Sequence, residues 1–141
     1  GQGFTGTTNS SASIIEGADH IGEIQAWNVN TGEEVWTKEF ELANWGPILA
    51  TAGNLIFSGG TADRYFRAHN ASTGELVWEQ RLNSGITGVP TSFAVNGKQY
   101  IAVQSGWGID AAGMQRRLDS IQGRTTIVPQ GGVLWVFALE E

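Results

Sequence analysis

Ala26-Trp27-Asn28-Val29-Asn30-Thr31-Gly32-Glu33-Glu34-Val35-Trp36 and Ala68-His69-Asn70-Ala71-Ser72-Thr73-Gly74-Glu75-Leu76-Val77-Trp78 are the two stretches that decide the fold. They stand 42 residues apart and agree at seven of eleven positions, spelling A-x-N-x-x-T-G-E-x-V-W twice. A single Thr-Gly would carry little weight. The whole pattern at one fixed offset marks an internal repeat, and a repeat of this length belongs to architectures that stack small units side by side. Gly46-Pro47 and Gly88-Val89-Pro90 also fall about one period apart, so the unit extends beyond the motif.

The motif explains its own shape. Asn28 and Asn70 can bond their own backbone two residues on, and Gly32 and Gly74 can take positive φ, so each motif reads as strand, tight turn and returning strand. Trp36 and Trp78 then sit on the returning strands. A large flat ring at one place in each unit suits stacking one unit on the next, with burial worth about 1.5–3 kcal/mol per ring. These two tryptophans are read as structural rather than catalytic.

Strand signals continue between the motifs. Ile48 to Ala52, a Gly53-Asn54 turn, Leu55 to Ser58, a Gly59-Gly60 turn, Tyr65 to Ala68 and Leu76 to Trp78 make four strands in one period. Four antiparallel strands in about 42 residues is one blade of a β-propeller. A further set follows in Thr91 to Val95, an Asn96-Gly97 hairpin turn, and Gln99 to Val103. Its next strand, Val133 to Leu139, is apolar on both faces, the pattern of a strand sandwiched between neighbouring sheets. The segment from 108 to 132 delays it and has helical spacing, with Asp110 as an N-cap, Met114, Leu118 and Ile121 as a packing face, and Gly123 as the stop. The expected fold is therefore all-β: two to three propeller blades over 1–141, a loop-rich start over 1–22, and one short helix near 110–122.

Composition agrees. The 141 residues include 20 Gly, 6 Trp, 6 Phe, 3 Pro and no Cys, against only 8 Lys plus Arg, which favours short strands and tight turns over long charged helices. A net charge of −6 with scattered basic residues argues against nucleic acid as a partner. The one adjacent pair, Arg116-Arg117, reads as a solvated turn of helix. No apolar run reaches the length of a membrane span, and no charged segment followed by an apolar one opens the chain. The absence of Cys excludes disulfides and thiolate metal sites. Gly1 to Ser11 reads as loop, and a chain opening on Gly1 suggests a processed product or a piece of something longer.

With these residues in view, the chain resembles the pyrroloquinoline quinone (PQQ)-dependent alcohol dehydrogenases of the methanol and ethanol dehydrogenase type. The resemblance rests on both tryptophan motifs, on Asn44-Trp45-Gly46-Pro47 through Gly60, on Gly97-Lys98-Gln99-Tyr100 through Ser105-Gly106-Trp107-Gly108, and on Gln130 to Phe137. It spans nearly the whole chain but only the C-terminal part of the family's eight-bladed propeller. It implies that Trp45, Gly106 and Trp107, with Asn44 beside them, line the cofactor pocket. Trp45 and Trp107 lie 62 apart, outside the 42-residue period that accounts for Trp36 and Trp78. An indole edge donates one hydrogen bond, and a glycine admits close backbone approach to a flat polar cofactor.

The family's catalytic base, metal ligands, stacking Trp and vicinal cysteines lie upstream, and no motif here matches them. The resemblance thus implies PQQ with a calcium or lanthanide ion held by residues outside this chain. It also implies a small primary alcohol as substrate, cytochrome c as electron acceptor, and a periplasmic setting, with no turnover by these residues alone. Asp19-His20-Ile21-Gly22-Glu23 has atoms suited to acid/base work or metal ligation but reads as a solvated turn, and Asp63-Arg64 and Asp119 read as surface charges. Gly17 to Gly22 lacks the Lys-Ser/Thr of a phosphate loop. Closed propellers need at least about four blades, so the terminal faces should be covered by the rest of a propeller or by self-association. The alternative is a non-catalytic propeller of similar repeat, acting as an envelope protein-binding scaffold.

Overall fold

The computed structural model describes Gly6 and residues 11–138. Most of the opening loop expectation and Leu139, at the end of the last expected strand, lie outside the described residues. Among the described residues nine strands and one helix follow in order: β1 (Gly22–Asn28), β2 (Glu33–Phe40), β3 (Ile48–Thr51), β4 (Leu55–Ser58), β5 (Tyr65–Asn70), β6 (Leu76–Arg81), β7 (Thr91–Val95), β8 (Lys98–Ser105), α1 (Ile109–Gln122) and β9 (Val133–Ala138). They form three antiparallel sheets, β1-β2, β3-β4-β5-β6 and β7-β8-β9, so one four-stranded blade stands between two partial ones.

The repeat is reproduced down to its irregularities. Gly32 and Gly74 have φ of 71° and 72°, their amides donate to Asn28 and Asn70 carbonyls at 2.8 and 2.9 Å, and the register slips at Ala26/Trp27 and again at Ala68/His69. The Asn28 side chain accepts from the Asn30 amide, and that of Asn70 from the Ser72 and Thr73 amides, as the Asx reading requires. Asn96 and Gly97 both take positive φ, the signature of a type I′ hairpin turn. The Trp36 indole donates to the Ala71 carbonyl at 3.0 Å, and a Cβ on Gly74 would lie 2.8 Å from the Trp36 ring. One unit's ring therefore rests on the next unit's turn. Trp78 instead meets the edges of Phe66 and Phe137, at centroid distances of 6.2 and 5.1 Å.

The main core lies between the second and third sheets. Phe66, Leu82, Ile86, Ile101 and Val103 are buried, with Leu49, Phe57, Trp135 and Phe137 packed against them. On β9 only Trp135 and Phe137 turn inward, whereas Leu134 and Val136 are exposed. The expected sandwiching on both faces is thus corrected to one covered face, because no further sheet stands beyond β9 among the described residues.

Two expectations about α1 are corrected. The N-cap of α1 is Gly108, in extended conformation and without a side-chain cap; Asp110 lies in the first turn, where it favours the helix dipole. The buried face of α1 is Ala111, Gln115 and Asp119 rather than Met114, Leu118 and Ile121, since Met114 and Ile121 are exposed. Gly123, at φ 65°, ends the helix as expected.

Asp119 and Asp63 are not plain surface charges. Asp119 is buried and accepts from Gln115 Nε2 (2.8 Å), Thr126 Oγ1 (2.8 Å) and the Thr126 amide (2.6 Å), with Arg124 Nε 3.5 Å away. Burial pushes its carboxyl up, but these bonds and the Arg124 charge outweigh that and hold it below 3.8. Asp63 accepts from Arg67 Nη2 (2.5 Å), the Tyr65 amide (3.1 Å) and the Thr61 hydroxyl, and is held low against the same burial penalty. Arg64 has φ of 73°, and its carbonyl accepts from the Leu82 amide, so its backbone is a joint in the fold.

His69 takes the repeat position of Trp27 but is only 1% exposed, and neither ring nitrogen has a hydrogen-bond partner among the described residues. Burial, then the Lys38 and Arg67 charges, push its imidazole below 6.5, with Glu79 opposing. The unfolded chain takes up a proton here below 6.5 while the folded chain resists, so this group's contribution is full above 6.5 and lost as pH falls through the depressed folded value. His20 works in the other window: raised chiefly by its bond to Asp19, its contribution is complete below 6.5 and lost as pH rises through its folded value. A melting series from about pH 8 to about pH 5 should show Tm falling below 6.5 in wild type, and a flatter course in His69→Phe. Equal slopes would remove His69 as the source.

Candidate functional site

Antiparallel order places the outgoing ends of β2, β4, β6 and β8 at one end of the sheets and the tight turns at the other. The candidate residues all come from the first end. Asn44 and Trp45 follow β2, and Gly106 and Trp107 follow β8.

Glycine contacts join these connections. The Trp45 amide donates to the Gly60 carbonyl at 2.9 Å, and Asn44 Oδ1 accepts from the Gly46 amide at 3.2 Å. Gly46 lies against Gly59 and Gly60 so closely that no Cβ fits on either side. Gly59 in turn packs on Ile86, which is fully buried and forms a parallel bridge with Gly106. The Gly106 amide donates to the Gly85 carbonyl at 2.7 Å, and Thr87 Oγ1 donates to the Gly106 carbonyl at 3.3 Å.

Trp45, Trp107 and Gly106 differ in their surroundings. Trp45 is 39% exposed. Trp107 is only 5% exposed; it packs with Ala62 and Ala111 and lies flush on Gly85, where a Cβ would stand 2.0 Å from its ring. Gly106 is open on its Cβ side, with Gly132 Cα the nearest atom at 3.8 Å.

Two grooves flank Trp107. One, about 370 Å³, is walled by Thr87-Gly88, by Gln104 through Gly108 and by Gly131-Gly132. The other, about 540 Å³, runs between α1 and residues 124–130 past Gln115, Arg116 and Arg124. Asn44 and Trp45 line neither. Among the described residues the smaller groove has no carboxylate and no imidazole in its lining, and its glycines offer bare backbone to a flat polar molecule. Sequence reasoning missed Gly85, Thr87 and Gly131-Gly132. The recurrence of Gly46-Pro47 as Gly88-Val89-Pro90 was the available signal for this rim.

Asp19, His20 and Glu39 bring one ligand atom each within 4.8 Å at the open end of the first hairpin. His20 Nδ1 is 2.8 Å from Asp19, and Nε2 is 3.2 Å from Glu23. Asp19 is largely exposed, and the group clasps the segment before β1 to the hairpin.

Comparison with known proteins gives a consistent result. Residues 37–101 match the PQQ family model described as the glucose/ethanol/alcohol dehydrogenase β-propeller domain. A quinoprotein ethanol dehydrogenase of Pseudomonas putida is 40% identical over 128 residues, covering 86% of this chain and 19% of that protein. Subunit 1 of a cytochrome c methanol dehydrogenase of Methylobacterium organophilum is 34% identical over 137 residues, covering 85% of this chain and 21% of that one. The solved structure of a europium-containing methanol dehydrogenase superposes with a TM-score of 0.71 at 33% identity, over 87% of this chain and 24% of that chain. The chain thus spans about a fifth of the length of the curated relatives it matches.

Proposed function

This chain belongs to the PQQ β-propeller family of quinoprotein alcohol dehydrogenases, and from that premise we propose that it forms part of the wall of a PQQ pocket. The reaction is oxidation of a small primary alcohol to its aldehyde, with electrons passed to a cytochrome c. The observation that carries this reading is the placement of Gly106, open toward a glycine-lined groove, at the same end of the sheets as the half-exposed Trp45 ring.

A flat polar cofactor fits that surface in kind. Gly106 admits close backbone approach, and Trp45 is among the exposed large hydrophobic residues, so its indole is accessible to a ligand. Trp107 is committed to packing on Gly85, Ala62 and Ala111, so its part is to hold the groove's shape. PQQ, when bound, supplies the two-electron acceptor chemistry. Among the described residues the groove wall has no base for the alcohol proton and no carboxylate for a calcium or lanthanide ion; in this reading both come from the rest of the propeller. The exposed Leu134 and Val136 face of β9 suits that remainder or, for the chain by itself, self-association. The setting is the periplasm.

Quenching of tryptophan fluorescence by PQQ tests the reading in wild type and Trp45→Ala. Loss of the indole from the pocket wall should weaken binding about tenfold. The chain alone, given PQQ, calcium or lanthanum and ethanol, should reduce no dye acceptor. Unchanged affinity in Trp45→Ala, or turnover by the chain alone, would overturn the assignment.

A further inference from the structure

We propose that Asn83 is a positioning residue that sets the spacing between the two walls of the smaller groove; the inference rests on the reading of Gly106 as facing the cofactor. Three separate segments converge on this one amide. Its Oδ1 accepts from Ser105 Oγ at 2.7 Å and from Trp135 Nε1 at 2.9 Å, and its Nδ2 donates to the Gly131 carbonyl at 3.5 Å. The amide orientation is determined by chemistry, because an indole N–H only donates and so must face the oxygen. The nitrogen is left pointing at Gly131.

Ser105 immediately precedes Gly106 on one wall, and Gly131 belongs to the other. Ser105 is fully buried, and its hydroxyl is shared between Asn83 Oδ1 at 2.7 Å and the Val133 carbonyl at 3.1 Å, so it ties Asn83 to the start of β9 as well. Trp135 anchors the same oxygen to β9, inside the main core. Asn83 therefore joins β8, β9 and the segment after α1 at one point. The repeat shows that this is not a general need of blade packing: one period earlier stands Glu41, which is exposed.

Two substitutions separate the walls. Asn83→Leu has similar volume and no hydrogen-bonding group. Asn83→Asp keeps an acceptor for Ser105 and Trp135 but cannot donate to Gly131. In nitrogen-15 spectra of the whole chain, Asn83→Leu should shift the Trp135 indole signal and speed exchange of the Gly106 amide about tenfold or more, since its bond to Gly85 loosens. Asn83→Asp should restore both to wild-type values while still perturbing Gly131 and Gly132. Gly106 exchange at the wild-type rate in Asn83→Leu overturns the proposal. If that variant fails to fold, Asn83→Asp decides alone: unperturbed Gly131 and Gly132 signals would equally overturn it. Addition of PQQ to wild type is read separately. A Gly106 amide that responds to Asn83 but not to PQQ would sink the cofactor reading and leave the positioning role standing.

Discussion

Gly60→Ala is expected to destabilise the chain by about 3 kcal/mol or more, from strain and overpacking together. Gly60 has φ of 108°, a region side chains rarely occupy. A Cβ there would stand 1.9 Å from the Gly46 nitrogen, 2.4 Å from Gly46 Cα and 2.7 Å from Asn44 Oδ1. Two of these are backbone atoms, so no rotamer change relieves the clash. The two connections must separate, which breaks the bond from the Trp45 amide to the Gly60 carbonyl and displaces Trp45. Gly108→Ala is the contrast, because Gly108 has φ of −64° and nothing within 4 Å of its would-be Cβ. Urea unfolding followed by tryptophan fluorescence should separate the two variants clearly. A Gly60→Ala protein within about 1 kcal/mol of wild type would contradict the close packing on which the site rests.

Phe66→Ala should cost about 3–5 kcal/mol, the range for deleting a fully buried aromatic ring. Phe66 is inaccessible to solvent and touches rings from two sheets: Phe57 at 5.9 Å and Trp78 at 6.2 Å in its own, and Phe137 at 5.8 Å in the next. Its removal leaves a cavity in the seam between the full blade and the third sheet. Loss of stability should therefore come with increased exposure of Trp135, read as a red shift of emission. Phe66→Leu, which refills part of the volume, should recover part of the loss. A Phe66→Ala cost below about 1 kcal/mol would mean that the seam is not the principal core.

Turn chemistry was legible because it is local. Asn28, Asn70 and the glycines of the two motifs act on atoms within a few residues, so their hairpins follow from spelling alone. The α1 face was misread for the opposite reason. Met114, Leu118 and Ile121 have the right spacing, but the space beside α1 is already filled by the Trp107 ring. Only a small residue, Ala111, and the hydrogen-bonded pair Gln115 and Asp119 are buried on that face. Burial of Asp119 could not be foreseen, because Thr126 reaches it across the Gly123 turn.

For the candidate site, resemblance picked out Asn44, Trp45, Gly106 and Trp107, and the structure gives them different surroundings. It leaves Gly106 open and Trp45 half-exposed while Trp107 is consumed by packing. Asn83 escaped notice because its partners lie 22, 48 and 52 residues away in sequence. The sequence by itself determined the repeat, the hairpins and the family, since each depends on short-range geometry or on a string of identities. Tertiary structure alone decided which tryptophan is free and which asparagine joins three segments, because both depend on where sheets from different repeats meet.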